Sequence, residues 1–291
     1  MFDPTSRSEA AGGAESPGIR QAADAAQRTR GRARLGVKAD GAGGTGLQTF
    51  YQEGAAKIRL PREDGRAFEA VVINTAGGLT GGDVFAVEVD VAAGASASVA
   101  GQACEKIYKA SSGTAVVTTD LAVGDGGRLD WLPQPTILFD RSALCRRTNV
   151  ALSGSARLLA VESLVLGREA MGERLETARV LDSWRVRREG RLILADGFSI
   201  EGAAAEALSG PALLGPYRAT ATVMLAAPDA AAALKPVRDH LAGSSGPAGA
   251  SLVGEVLVVR LAAPNGEALN GDLIGLLTLL RGRPLPRVWF C

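Results

Sequence analysis

The chain has 291 residues, enough to bury a large core as one domain or two, and 46% of them are hydrophobic. Its 32 lysines and arginines balance 31 aspartates and glutamates, so no global basic field exists to draw in nucleic acid. The three cysteines, Cys104, Cys145 and Cys291, stand far apart with no CxxC pair, which fits a reducing cytosol better than a disulfide framework.

In chain order, residues 1 to about 30 come first, rich in Ala, Gly, Ser and Arg and almost free of aliphatic side chains after Phe2. Such a segment cannot bury enough apolar area to offset its ordering entropy, so a disordered tail is expected there. It carries no secretory apolar core or cleavage signature, and no run in the chain approaches the ~20 apolar residues of a membrane helix. A soluble, cytoplasmic protein without a membrane partner is the expectation. Residues 31–291 are expected to form a single β-rich domain.

The long middle reads as strands: "FEAVVINT", "VFAVEVDVAA", "ASASVAGQ", "GTAVVTTDLAV", "RLDWLP", "ARLLAVESLVLG", "ARVLDSWRVRREG" and "RLILADGFSI". In "VFAVEVDV", Phe85, Val87, Val89 and Val91 share one face while Glu88 and Asp90 share the other, the period-two signature of a half-buried strand. Turn signals recur at 124–127 (GDGG), 153–155 (SGS) and 188–191 (REGR). Short strands at near-regular spacing predict an all-β body: sandwich, barrel or solenoid-like ribbon. No exact residue repeat accompanies them, so a true repeat solenoid is not demonstrated.

Two helices are expected near the C-terminus. "PDAAAALKPVRDHLAG" opens on Asp229, a candidate cap, and Pro236 must kink or restart it. "NGEALNGDLIGLLTLLRGRP" sets Leu269, Leu273, Leu276, Leu277 and Leu280 on one helical stripe ended by Gly282 and Pro284. Between them "SLVGEVLVVRLAAP" reads as a strand. The stripe is expected to face the core rather than a partner.

The chemistry in the sequence is sparse. His240 is the only histidine and falls late in a helix, where a surface role is the ordinary one. No GxSxG elbow is present, and Cys/His ligands are too few for an ordinary zinc site. The loop "NTAGGLTGGD" gathers Gly77, Gly78, Gly81 and Gly82, but it lacks the lysine and hydroxyl of a phosphate cradle and ends on Asp83, which repels phosphate. Read from residues alone, this is an all-β body without visible catalytic apparatus, which favours a binding or scaffold protein over an enzyme.

Several segments in one order carry a resemblance: "NTAGGLTGGD", "GQACEKIYKASSGTA", "WLPQPTILFDRSALCRRTNVAL", "ARLLAVESLVLGREAMGERL" and the terminal "GRPLPRVWFC". Over roughly residues 30–291 the chain resembles the UreD family of urease accessory proteins, called UreH in some organisms. That resemblance implies an all-β dominated, helical-ribbon-like body with a pair of helices. It implies no enzymatic activity of its own, but a chaperone that binds apo-urease and UreF, which recruits the GTPase UreG, during nickel delivery to a dinuclear urease site. It implies no tightly bound cofactor, only Ni2+ in transit, and it leaves the glycine loop no nucleotide to hold. The alternative is a non-catalytic β-sandwich binding protein unrelated to urease.

Carboxylates and amides on the matched segments become candidates for a polar nickel passage: Thr80, Asp83, Gln102, Glu105, Asp140 and Glu173. A tight metal site is not expected from one histidine and scattered cysteines. Each candidate has a plainer reading. The four glycines form a structural turn, Glu105 and Lys106 are a solvated pair on a strand edge, Asp140 caps a turn, and Glu173 joins Arg168, Glu169 and Arg174 in an ion-pair network.

Overall fold

The computed structural model describes residues 28–61, 68–168, 171–210 and 213–290. Up to residue 27 the tail expected to be disordered lies outside the described residues, and the ordered chain is already paired at Thr29, whose N–H reaches Asp83.

Seventeen strands and three α-helices make up the described residues, an all-β dominated architecture with helices toward the C-terminus. The first strands are β1 (Arg30–Ala39), β2 (Thr45–Gly54), β3 (Ala56–Arg59), β4 (Phe68–Asn74), β5 (Val84–Val91) and β6 (Ser96–Gly101). Then come β7 (Glu105–Ile107), β8 (Ala115–Val123), β9 (Arg128–Leu132), β10 (Thr136–Leu138), β11 (Ser142–Leu152) and β12 (Arg157–Leu166). After β13 (Thr177–Arg188) and β14 (Arg191–Ala203) follows the short α1 (Ala204–Leu208), then β15 (Ala219–Ala226) and α2 (Leu234–Leu241). The chain closes with β16 (Ala248–Val253), β17 (Val256–Ala263) and α3 (Gly266–Arg281).

The middle of the chain winds as a coil. Strands β1, β5, β8, β11 and β13 lie parallel in one sheet, flanked by antiparallel β2 and β14; β4, β6, β9 and β12 lie parallel in a second sheet, which β15, β17 and β16 continue antiparallel. Each turn of the coil therefore gives one strand to each sheet. Among the open alternatives of the sequence reading, the solenoid-like ribbon is the one adopted. Its repeat is one of type: Leu35, Val89, Leu121, Val150 and Val186 stand in register across five parallel strands, all nearly inaccessible. Stacked aliphatics of this kind each contribute ~1.5–3 kcal/mol of burial without any identical residue.

The two sides of the coil differ. On one, tight turns at 92–95, 124–127 and 153–156 link first sheet to second. On the other, longer returns carry β7 and β10, which pair with each other and with β12 in a narrow third wall. A second ladder, Leu79–Ile107–Leu138–Leu166, lines that wall from inside.

Helix α3 covers the outer face of the second sheet, with the five leucines of its stripe at 0 to 7% exposure. Asn265 caps it by accepting from Ala268 N–H, and Gly282 ends it at φ 66°. Two details depart from the sequence reading. Asp229 stands at the N-cap of a 3-10 turn, Ala230–Ala233, without a side-chain cap; its carboxylate pairs with Arg157, and α2 starts only at Leu234 with Pro236 in its first turn, where a missing N–H costs nothing. The run "SLVGEVLVVRLAAP" is a hairpin, β16 and β17 turning at Gly254, φ 58°.

Candidate functional site

All six polar candidates fall on the long-return side of the coil. The glycine loop is held there by short-range contacts. The Asp83 carboxylate, 3% exposed, accepts from Thr29 N–H at 2.7 Å and Thr80 N–H at 2.8 Å, while Thr80 Oγ1 donates to Lys109 O at 2.9 Å. Tyr108 O–H donates to Gly77 O at 3.0 Å, and its ring sits so close that a Cβ on Gly78 would lie 2.4 Å from it. A Cβ on Gly81 would lie 2.0 Å from Ser112 O, a backbone atom that cannot yield. The loop is a tight backbone junction, and its polar atoms point at backbone.

Beside it a cavity of about 590 Å³ opens between the sheets. Exposed Gln102, Cys104 and Lys106 stand at its mouth with half-buried Glu105. Phe85, Val87, Leu144 and Trp131 wall it, and Thr136, Arg146 and Glu162 lie at its base. Glu105 accepts from Asn74 Nδ2 at 3.1 and 3.2 Å rather than pairing with Lys106; burial pushes its carboxyl above the usual range, against the pull of that hydrogen bond.

The base is a charged triad between the sheets. Arg146 donates from Nε to Asp182 Oδ1 at 3.1 Å, from Nη2 to Asp182 Oδ2 at 2.7 Å and from Nη1 to Thr136 Oγ1 at 2.9 Å. Glu162 Oε1 lies 2.6 Å from the same Nη1, yet without hydrogen-bond alignment. All three residues are below a tenth exposed. Burial, helped by the neighbouring Asp182 carboxylate, raises the Glu162 carboxyl to about 8 despite Arg146. Arg146 is held protonated by its two carboxylates against the cost of its burial. Two acids thus face one base, and Glu162 is the acid whose ionisation this arrangement disfavours.

Glu162 also lines a second, smaller cavity of about 70 Å³ with Asp182, Asp196, Thr222 and Arg260, where Asp196 and Arg260 pair. One side chain is therefore common to the two voids, with Arg146 lining the larger and Asp182 the smaller.

Of the six candidates, this arrangement gathers Gln102 and Glu105. Thr80, Asp83, Asp140 and Glu173 line neither cavity. Asp140 Oδ1 accepts from Glu176 and Thr177 N–H at 3.0 and 2.9 Å, and Glu173 pairs with Arg168 at 2.7 Å, whose guanidinium also lies 4.2 Å over the Phe139 ring. Glu169 lies outside the described residues. His240 is exposed and packs beside Gly275 of α3. Residues 146, 162 and 182 went unremarked in the sequence, although a signal exists. Strand alternation sets Glu162 in line with Leu158, Ala160, Leu164 and Leu166, Arg146 with Leu144 and Val150, and Asp182 with Val180 and Val186, all inward. A charge on the inward parity of an otherwise apolar strand marks a buried pair.

Among the described residues no three Asp, Glu, Cys or His side chains converge as a metal centre requires, and no helix is long and apolar enough to cross a membrane. A family profile described as UreD urease accessory protein matches residues 29–290. Urease accessory protein UreD of Rhizobium etli is 51% identical over 265 residues, 90% of this chain and 96% of that protein. The same-named proteins of Rhizobium leguminosarum bv. viciae and Agrobacterium fabrum are 51% and 46% identical over 264 residues, 90% of this chain in each case and 96% and 92% of theirs.

Proposed function

The chain belongs to the UreD family of urease accessory proteins, and from that membership we propose that it is a cytoplasmic, non-enzymatic chaperone of urease maturation. It binds apo-urease and UreF, which brings in the GTPase UreG, and nickel crosses its interior on the way to the urease site. The carrying observation is the pair of cavities that meet at Glu162, with Gln102 and Glu105 at the entrance of the larger one. The Glu105 carboxylate and the Gln102 amide at the mouth offer a divalent cation oxygen ligands in small number, which exchange it quickly. A carrier that must release its cargo is better served by such weak stations than by a closed site. Nickel here is cargo, and no resident cofactor belongs to the reading.

Glu105→Gln and Glu162→Gln keep side-chain shape while removing a group that can ionise and ligate as a carboxylate, so they separate transit from assembly. In cells expressing the full accessory set, both variants should leave the complex with UreF and urease intact and lower urease nickel content and activation. Full nickel loading with intact complexes would overturn the passage, and loss of the complex in Glu105→Gln would make the cavity mouth an interface instead.

A further inference from the structure

The triad members are not equivalent. Arg146 donates aligned hydrogen bonds to Asp182 and Thr136, while its Nη1 meets Glu162 Oε1 at 2.6 Å without that alignment. Glu162 is the member that lines both voids. A guanidinium set between two carboxylates occupies the place that a small divalent cation takes between such groups. With Arg146 present the pair is already neutralised once, so an arriving ion gains little. With Arg146 absent, two ionised acids and a threonine hydroxyl would face an ion in a site shielded from water, where attraction is strong.

We propose that Arg146 is an internal surrogate cation: it keeps Glu162 and Asp182 from closing on a divalent ion, so that an ion passes between the two cavities only by taking the guanidinium's place beside Glu162. This rests on the passage reading and adds to it the residue that keeps the station weak. The groups facing Glu162 are Arg146 from β11, Asp182 from β13 and Thr136 from β10; across the smaller cavity stand Asp196 of β14, already paired with Arg260 of β17, and across the larger one Glu105 of β7. No other base touches Glu162 within salt-bridge distance among the described residues.

The test uses the full chain, in complex with UreF where that is needed for solubility, titrated with Ni2+ and with Co2+ as a spectroscopic probe. The intact chain should bind weakly. Arg146→Met should bind at least about tenfold tighter, Arg146→Lys should remain as weak as the intact chain, and Arg146→Met/Glu162→Gln should return to weak binding. Arg146→Gln, which keeps a hydrogen-bond donor while losing the charge, should also bind tighter than the intact chain and makes the same comparison if Arg146→Met fails to fold. Equal affinity for the intact chain and the neutral variant overturns the proposal. Tight binding by Arg146→Met together with unchanged urease loading in Glu105→Gln and Glu162→Gln would leave the station standing and sink the passage.

Discussion

Two buried charge clusters in this molecule have opposite stoichiometry. Between the sheets, one arginine faces two acids, Glu162 and Asp182, beside two cavities. Outside the second sheet, one acid, Asp130, faces three arginines and lines neither of those two cavities. Arg281 Nε and Arg283 Nη2 lie 2.9 and 2.8 Å from Asp130 Oδ2, and Arg128 Nε lies 3.4 Å from Oδ1. The consequences for titration are opposed too. Burial raises Asp130 as it raises Glu162, but three guanidiniums outweigh it and hold the Asp130 carboxyl below the usual range. Desolvation is shared; the count of counter-charges decides whether a buried acid is a fixed anion or a proton carrier.

The outer cluster is a clamp. Arg281 ends α3, Arg283 follows it, and Asp130 and Ser98 belong to β9 and β6, so a single carboxylate ties the C-terminal helix to the coil. Removing it leaves three guanidiniums with only hydroxyl and carbonyl partners. Asp130→Ala should therefore lower stability by ~3–5 kcal/mol in urea unfolding, the penalty of an uncompensated buried charge. A loss below about 1 kcal/mol would mean that the arginines relax to solvent and that the clamp is not structural.

A different carboxylate tests whether fixed anions need arginine at all. Asp83 is held by two backbone N–H groups and joins the start of β1 to the glycine loop. Asp83→Ala should cost ~1–3 kcal/mol for the unsatisfied donors, with an unchanged complex with UreF and urease once folded. Normal stability combined with low urease nickel would return Asp83 to the passage and weaken the contrast drawn from the triad.

The legible and illegible parts of the sequence follow the same division. Strand alternation in "VFAVEVDV" and the leucine stripe of α3 could be read because a buried face demands an apolar residue at every repeat, whatever its partner. The coil could be read from the residues only as one of three all-β alternatives, since stacking strands in register requires only similar residues, as in Leu35, Val89, Leu121, Val150 and Val186. Candidate site residues were drawn from polar loops, yet loop carboxylates such as Asp140 satisfy neighbouring backbone amides. The acid that touches both cavities is embedded in "LLAVESLVL", where it is the one charged residue of an apolar stretch of strand. Which strand lies opposite, and hence whether Glu162 finds an arginine, is a fact of three-dimensional register that one strand does not carry.

Glu162→Gln sharpens the proton-carrier half of the comparison. The folded carboxyl is raised to about 8 from 4.5, so the native state binds more protons than the unfolded chain between those values. Stability contributed by this group is present at low pH and declines as pH rises through that window. The variant cannot ionise and should be spared that decline. Relative to the intact chain it should be near neutral at pH 5 and more stable by over about 1 kcal/mol at pH 8. Parallel stability curves across that range would mean that Glu162 is ionised throughout, and the two clusters would then differ in geometry only.

The smallest effect is expected at the exposed end of the scale, where neither stoichiometry nor burial has leverage. Glu173 accepts from Arg168 Nε at 2.7 Å, and side-chain exposures of 23% and 40% leave the pair in contact with water. Its hydrogen bond raises the Arg168 guanidinium, which is charged at every working pH regardless. Arg168 keeps a second anchor, the Phe139 ring 4.2 Å away, itself packed edge-on to Tyr108 at 4.9 Å. Loss of the carboxylate therefore leaves the guanidinium stacked rather than stranded, and solvent screens what remains. Glu173→Ala should change stability by no more than about 0.5 kcal/mol and leave both complex formation and urease nickel content as they are. A drop in nickel with intact assembly would bring Glu173 into the ion route from outside both cavities, and the route would then have to run over the surface of the long returns rather than through the triad.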